Sequence, residues 1–107
     1  MKTSVVRLHW ILVGGLALAA GGPAQADLEL AQQSGCTICH GVDQGIVGPS
    51  YKEVAAKYKS DPSVVATLVA KVKAGGAGNW GEVPMPPNSP QVSDENIRKL
   101  VEWVLSL

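Results

Sequence analysis

The sequence predicts an all-α domain of four to five short helices, and three observations carry that expectation. Apolar residues recur at helical spacing over 64–72 and 97–105. Residues suited to starting and stopping helices bracket both runs. No internal repeat, long linker or convincing strand pair interrupts them.

What these helices surround is indicated by Cys36-Thr37-Ile38-Cys39-His40. A C-x-x-C-H run marks covalent attachment of one c-type haem. Its two thiols add to the two vinyl groups of one porphyrin, and the adjacent imidazole reaches the iron from one face. The spacing is short because both sulfurs must meet the same macrocycle while His40 points inward. Other chemistries fit less well. A thioredoxin-like dithiol needs a βαβ context, and nothing β-rich precedes Cys36. Zinc needs about four ligands, and the other histidine, His9, lies in a segment expected to be removed.

That segment is residues 1–26, which read as a secretory signal. Lys2 and Arg7 form a basic start, Leu8 to Gly22 is mostly apolar, and Ala24-Gln25-Ala26 is an A-x-A cleavage site. The mature chain is then expected to run 27–107. The apolar stretch is shorter than the ~20 residues of a spanning helix and contains Gly14, Gly15, Gly21 and Gly22, so no stable membrane insertion is expected after processing. Export suits the cysteines, because bacterial haem attachment takes place outside the cytoplasmic membrane, and the periplasm is the expected compartment.

Charge excludes other partners. Without Lys2 and Arg7, the nine basic residues fall to seven, against nine Asp and Glu. No basic block or aromatic-basic interleaving suggests nucleic acid. A near-neutral balance also argues against strong electrostatic steering. A domain this small usually needs support beyond its own core, and a covalent porphyrin at its centre provides it.

In chain order, 27–33 reads as a short helix with Leu28 and Ala31 or Leu30 turned inward, and Gly35 lets the backbone enter the C-x-x-C-H segment. Residues 41–49 form a loop rich in turn residues, whose Val42, Ile46 and Val47 are expected to cover the proximal side of the ring. Two roles are open to Pro49: its carbonyl could accept the second ring N–H of His40, or it could simply turn the chain into a helix. Tyr51, Val54, Ala55 and Tyr58 share one face of a helix over 51–58. The next helix is expected to be capped by Ser60 or Asp61, with Pro62 at its first position and Gly75 as its stop. Its Val64, Val65, Leu68, Val69 and Val72 read as core. Lys71 and Lys73 suit the dipole at its end, and either could pair with a haem propionate.

Beyond it, the flexible 75–81 stretch carries Trp80, whose indole could pack on the haem and donate to a propionate. Val83-Pro84-Met85-Pro86-Pro87-Asn88 is an extended loop that presents one thioether. Met85 and His40 are the only methionine and histidine of the mature chain, which makes them the expected pair of axial ligands. Such ligation raises the potential relative to harder ligands and leaves no open iron site. Asn88 either donates toward the Met85 sulfur or serves the turn. Ser93 caps the final helix, Val92 and Ile97 form a staple, and Ile97, Leu100, Val101, Trp103, Val104 and Leu105 make its buried face.

Together G-C-x-x-C-H at 35–40, V-G-P at 47–49, Y-K-E-V-A-A-K-Y at 51–58, W-G-x-x-P-M-P-P-N at 80–88 and W-V-L-S at 103–106 resemble the small monohaem class I cytochromes c of the bacterial c-551 group. The resemblance covers 27–107. It implies the class I cytochrome c fold, one covalent haem c held through Cys36 and Cys39, and axial His40 and Met85. It also implies Pro49 behind the proximal ligand, Asn88 beside the distal one, Trp80 near a propionate, and Lys71 where the family can place an arginine. Ala31 departs from the family's usual aromatic residue at that position, which bears on how the terminal helices pack.

The expected function is one-electron carriage, with a redox donor and acceptor meeting a monomer at the exposed haem edge. The donor could be a membrane cytochrome complex and the acceptor a terminal reductase, nitrite reductase included, or an oxidase. A permanently bound haem subunit of a respiratory or sulfur-oxidising complex is the alternative interaction reading. A peroxidase or gas-binding protein is the enzymatic one, and it requires a labile Met85 bond and a polar distal group.

Overall fold

The computed structural model describes residues 14–15 and 22–107. Four α-helices and one 3-10 turn occur among them: α1 Pro23–Gln33, the turn Cys36–Ile38, α2 Tyr51–Tyr58, α3 Val64–Ala74 and α4 Asp94–Leu105. Most of the leader expected at 1–26 lies outside the described residues. Its last four, from Pro23 to Ala26, form the first turn of α1 rather than preceding the helix. Pro23 explains the early start, because its fixed φ suits a first helical position where no N–H partner is needed. No helix among the described residues is long and apolar enough to cross a membrane.

The element with the strongest local signals is also the hub. In α4, Ser93 Oγ accepts the Asn96 N–H at 3.2 Å, and Asp94 and Glu95 sit favourably at the positive end of the helix dipole. Its apolar stripe packs against α1, α2 and α3. One core cluster joins Ala31 of α1, Tyr51 of α2 and Leu100, Trp103 and Val104 of α4. A second joins Val92, Ile97 and Val101, with Val65, Leu68, Val69 and Val72 of α3 packed on it. Ala31 is 0% exposed, so the small side chain in the family's aromatic position sits at closed packing between the terminal helices, with Trp103 filling the adjoining space.

Two local expectations are corrected. Helix α3 begins at Val64 with Ser63 as its cap residue, not at Pro62. Asp61 Oδ1 accepts both the Ser63 N–H at 2.9 Å and its hydroxyl, and the Val64 N–H bonds to the Asp61 carbonyl at 3.2 Å. Asp61 therefore closes a turn before the helix instead of capping it. In the 41–49 loop, Val42 packs on the first cluster and Val47 lines the cavity beside the C-x-x-C-H segment, whereas Ile46, 63% exposed, lies on neither.

Helix α2 starts with a capping box. Ser50 Oγ accepts the Glu53 N–H at 3.1 Å, and a Glu53 carboxylate oxygen accepts the Ser50 N–H at 2.9 Å. Ser50 is 1% exposed, so this box orients α2 directly behind the C-x-x-C-H segment.

Candidate haem site

The proximal side is built by local backbone bonds. Gly35 takes a left-handed conformation, φ 78°, and starts the 3-10 turn. Within that turn the Cys39 and His40 N–H groups both bond to the Cys36 carbonyl, at 3.2 and 3.0 Å. Both thiols and the imidazole consequently line one cavity. The following loop is drawn back when the Val47 and Gly48 N–H groups bond to the Cys39 carbonyl at 3.1 and 2.8 Å.

This return puts the Pro49 carbonyl 2.7 Å from His40 Nδ1. A carbonyl only accepts, so Nδ1 carries the proton and Nε2 keeps its lone pair for a metal. The same bond restrains rotation of the ring and makes the imidazole a stronger donor. Pro49 also leads into α2, so the acceptor and helix-entry roles coexist. A Cβ at Gly48 would lie 2.6 Å from His40 Cε1; only a glycine lets the backbone pass this close. Tyr51 stacks on the imidazole, with centroids 5.4 Å apart and planes at 22°, and meets Trp103 edge-on at 5.4 Å.

Cys36 packs against the core cluster that contains Tyr51. Burial pushes the Cys36 thiol up. Burial also raises the Tyr51 phenol, with the neighbouring thiol adding to the shift.

Met85 lines the same cavity, and here its loop is stitched to the end of α3. Gly76 and Met85 exchange two backbone bonds of 2.9 Å each. Gly75, at φ 71°, could not be replaced without conflict, since a Cβ would fall 2.4 Å from the Met85 carbonyl oxygen. Asn88 adds its backbone N–H to the Val72 carbonyl at 3.1 Å, and its amide Nδ2 donates to Val72 O and Pro86 O, both at 3.2 Å. Both amide hydrogens are thereby used on backbone oxygens. Of the two roles open to Asn88, the structure shows the local one, anchoring the loop that carries Met85.

The cavity is apolar, of about 280 Å³, lined by Cys36, Cys39, His40 and Met85 together with Leu68, Val72, Ile97 and Val101. Well-packed interiors leave few voids larger than a water molecule, so a space of this size is a ligand site. A haem suits its chemistry: two thiols beside one imidazole with a free Nε2, a thioether on the same cavity, and aliphatic walls for an apolar ring. Leu68 and Val72 of α3 line this cavity as well as packing on the second core cluster. Trp80, 44% exposed, and Lys71 also line it. A Cβ at Gly76 would lie 2.9 Å from Lys71 Nζ, which puts that ammonium over the Gly76 backbone.

Helices closed on a cavity that carries a C-x-x-C-H segment define a c-type haem protein. The comparisons with known proteins agree. The family model described as Cytochrome c matches residues 28–107. Cytochrome c-551 of Allochromatium vinosum is 57% identical over 91 residues, covering 85% of this chain and 96% of the relative. Cytochrome c-551 of Pseudomonas aeruginosa is 43% identical over 96 residues, covering 90% of each. The crystal structure of Nitrosomonas europaea cytochrome c552 superposes with a TM-score of 0.70 at 40% identity, over 74% of this chain and 96% of that one. The chain belongs to the cytochrome c family, in its small monohaem class I c-551/c-552 group. Its two cysteines are the attachment points for haem c, and like other class I cytochromes c it is an electron carrier and not an enzyme.

Three residues near the site escaped the sequence reading. Gly48 was available as part of V-G-P, but its contact with the His40 ring depends on how the loop folds back. Tyr51 was assigned to a helix face with nothing to say that His40 lay beyond it. Lys57, whose ammonium reaches the Asn79 carbonyl, had no signal at all.

Proposed function

We propose that the chain is a periplasmic one-electron carrier whose single haem c, attached through Cys36 and Cys39, is held axially by His40 and Met85. Bound there, the haem supplies the chemistry by cycling between Fe(III) and Fe(II). The protein's part is positional. Pro49 and Tyr51 hold the imidazole, the Gly76 bridge and Asn88 hold the loop that carries Met85, and aliphatic side chains exclude water. Ligands held this rigidly change little in geometry between oxidation states, which favours fast exchange.

The observation that carries the reading is the 2.7 Å bond from His40 Nδ1 to the Pro49 carbonyl, which leaves Nε2 free on the cavity side. Exposed Ile38 and Ile46, which lie outside the cavity lining, supply apolar surface for brief contact with a donor and an acceptor. The donor is proposed to be a membrane cytochrome complex and the acceptor a terminal reductase, such as nitrite reductase, or an oxidase. Residues 1–26 are proposed as a cleaved export signal, leaving 27–107 as the carrier.

Absorption spectra of the purified protein, oxidised and reduced, test the reading. Low-spin spectra with a methionine–iron charge-transfer band, lost in Met85→Ala, are expected. A high-spin ferric spectrum, or ready binding of carbon monoxide by the reduced protein, would overturn the proposed ligation and with it the carrier role.

A further inference from the structure

Residues 77–82 form the rim of the cavity just before the Met85 segment, and their attachment to the rest of the fold is sparse. Their one backbone bond among the described residues is internal, from the Gly78 N–H to the Gly81 carbonyl at 2.9 Å. The Gly76–Met85 bridge lies at the base of the loop and leaves the tip untouched. A single hydrogen bond ties the tip to a helix, and its donor is Lys57 of α2: Nζ donates to the Asn79 carbonyl at 3.1 Å.

The same ammonium lies 4.5 Å from the centroid of the Trp80 ring, within cation–π range, and 5.5 Å from that of Tyr58. No carboxylate among the described residues lies within ion-pair distance of Lys57, in contrast to Lys52 and Lys73, which pair with Asp43 and Asp94. One cation grips the main chain at Asn79 and the side chain at Trp80, while its own stem leaves a helix fixed by the Ser50–Glu53 capping box.

We propose that Lys57 is a positioning residue that latches the 77–82 rim onto α2 and so holds Trp80 over the haem cavity. The contact acts through Trp80 and the loop, not through direct contact with the ligands. Its effect on redox behaviour rests on the haem reading above; its effect on the loop does not.

Amide hydrogen exchange of the haem-loaded protein, followed residue by residue by NMR, tests the latch in the wild type, Lys57→Met and Lys57→Arg. Methionine keeps most of the apolar stem and removes the cation. An arginine retains both a donor and a cation able to stack on an indole. A charged donor and a cation–π contact together correspond to about tenfold in an opening equilibrium. Exchange at the Gly78 amide is therefore expected to rise about tenfold in Lys57→Met, with the Trp80 indole resonance shifted. The core amides of α4, Leu100 among them, should keep their wild-type rates, and Lys57→Arg should restore Gly78. Exchange at Gly78 within twofold of wild type in Lys57→Met would overturn the latch. Equal acceleration at Leu100 would mean lost global stability and would overturn it too, as would failure of the arginine to restore protection. Spectra showing an intact methionine-ligated haem beside any of these results would leave the carrier reading standing while the latch fell.

Discussion

Gly48→Ala is the sharpest perturbation of the proximal side. The new methyl would sit 2.6 Å from His40 Cε1, 3.0 Å from Nδ1 and 3.3 Å from Nε2. Carbon atoms in ordinary contact lie about 3.5–4.0 Å apart, so the ring or the loop must retreat by about 1 Å. Tyr51 is stacked on the ring and limits that retreat. The 2.7 Å bond to Pro49 would stretch past useful length, losing about 1 kcal/mol, and overpacking adds about 1–3 kcal/mol. A net destabilisation of about 2–4 kcal/mol is therefore expected, out of the ~5–15 kcal/mol typical of a domain.

Urea denaturation of the haem-loaded protein in both oxidation states, followed by helical circular dichroism, reads this directly. With a slope of about 2 kcal/mol/M, the midpoint should fall by about 1–2 M. The ferric form should lose more, because the Nδ1 bond strengthens the imidazole as a donor and a stronger donor favours Fe(III). The potential should then rise, by roughly 40 mV for each kcal/mol of difference between the two forms. Ile46→Ala, at a 63% exposed residue outside the cavity lining, should stay within about 0.5 kcal/mol of wild type. A Gly48→Ala protein with an unchanged midpoint and unchanged potential would refute the argument that this glycine exists to admit the ring.

Three further outcomes follow from packing and capping. Ile97 is 0% exposed, so Ile97→Ala should cost about 2–5 kcal/mol and lower the melting temperature by at least about 8 °C. Ser50→Ala removes one half of the capping box and should cost about 0.5–2 kcal/mol, measurable as a shifted urea midpoint without a change in slope. Ala31→Phe, in a site with no exposed surface, should cost about 1–3 kcal/mol through overpacking; an unchanged or higher melting temperature would show that α1 and α4 can separate at little cost.

Much of the architecture was legible because its signals are local. The Ser93 cap, the Val92–Ile97 staple and the apolar stripe of α4 lie within thirteen or so consecutive residues and need no tertiary partner to be recognised. The C-x-x-C-H segment is legible for the same reason, since two thiols and an imidazole within five residues serve one macrocycle. Misreadings and open alternatives occurred where two local solutions compete. Asp61 and Ser63 are both good cap residues, and the winner was settled by a turn in which Asp61 binds Ser63. Asn88 is as well suited to a sulfur as to a carbonyl, and the nearness of Val72 and Pro86 decided for backbone oxygens.

By itself, then, the sequence determined the helices, the attachment chemistry and the pair of residues expected on the iron, because each is written in short-range spacing. Tertiary structure alone decided which groups surround those atoms: Gly48 against the imidazole, Tyr51 stacked behind it, Gly76 bridged to Met85, and Lys57 reaching Asn79 from 22 residues away. The physical reason is that such contacts form only when loops without periodicity fold back on rigid helices. The direction of a loop depends on the sum of its backbone bonds, not on the identity of any one residue in it.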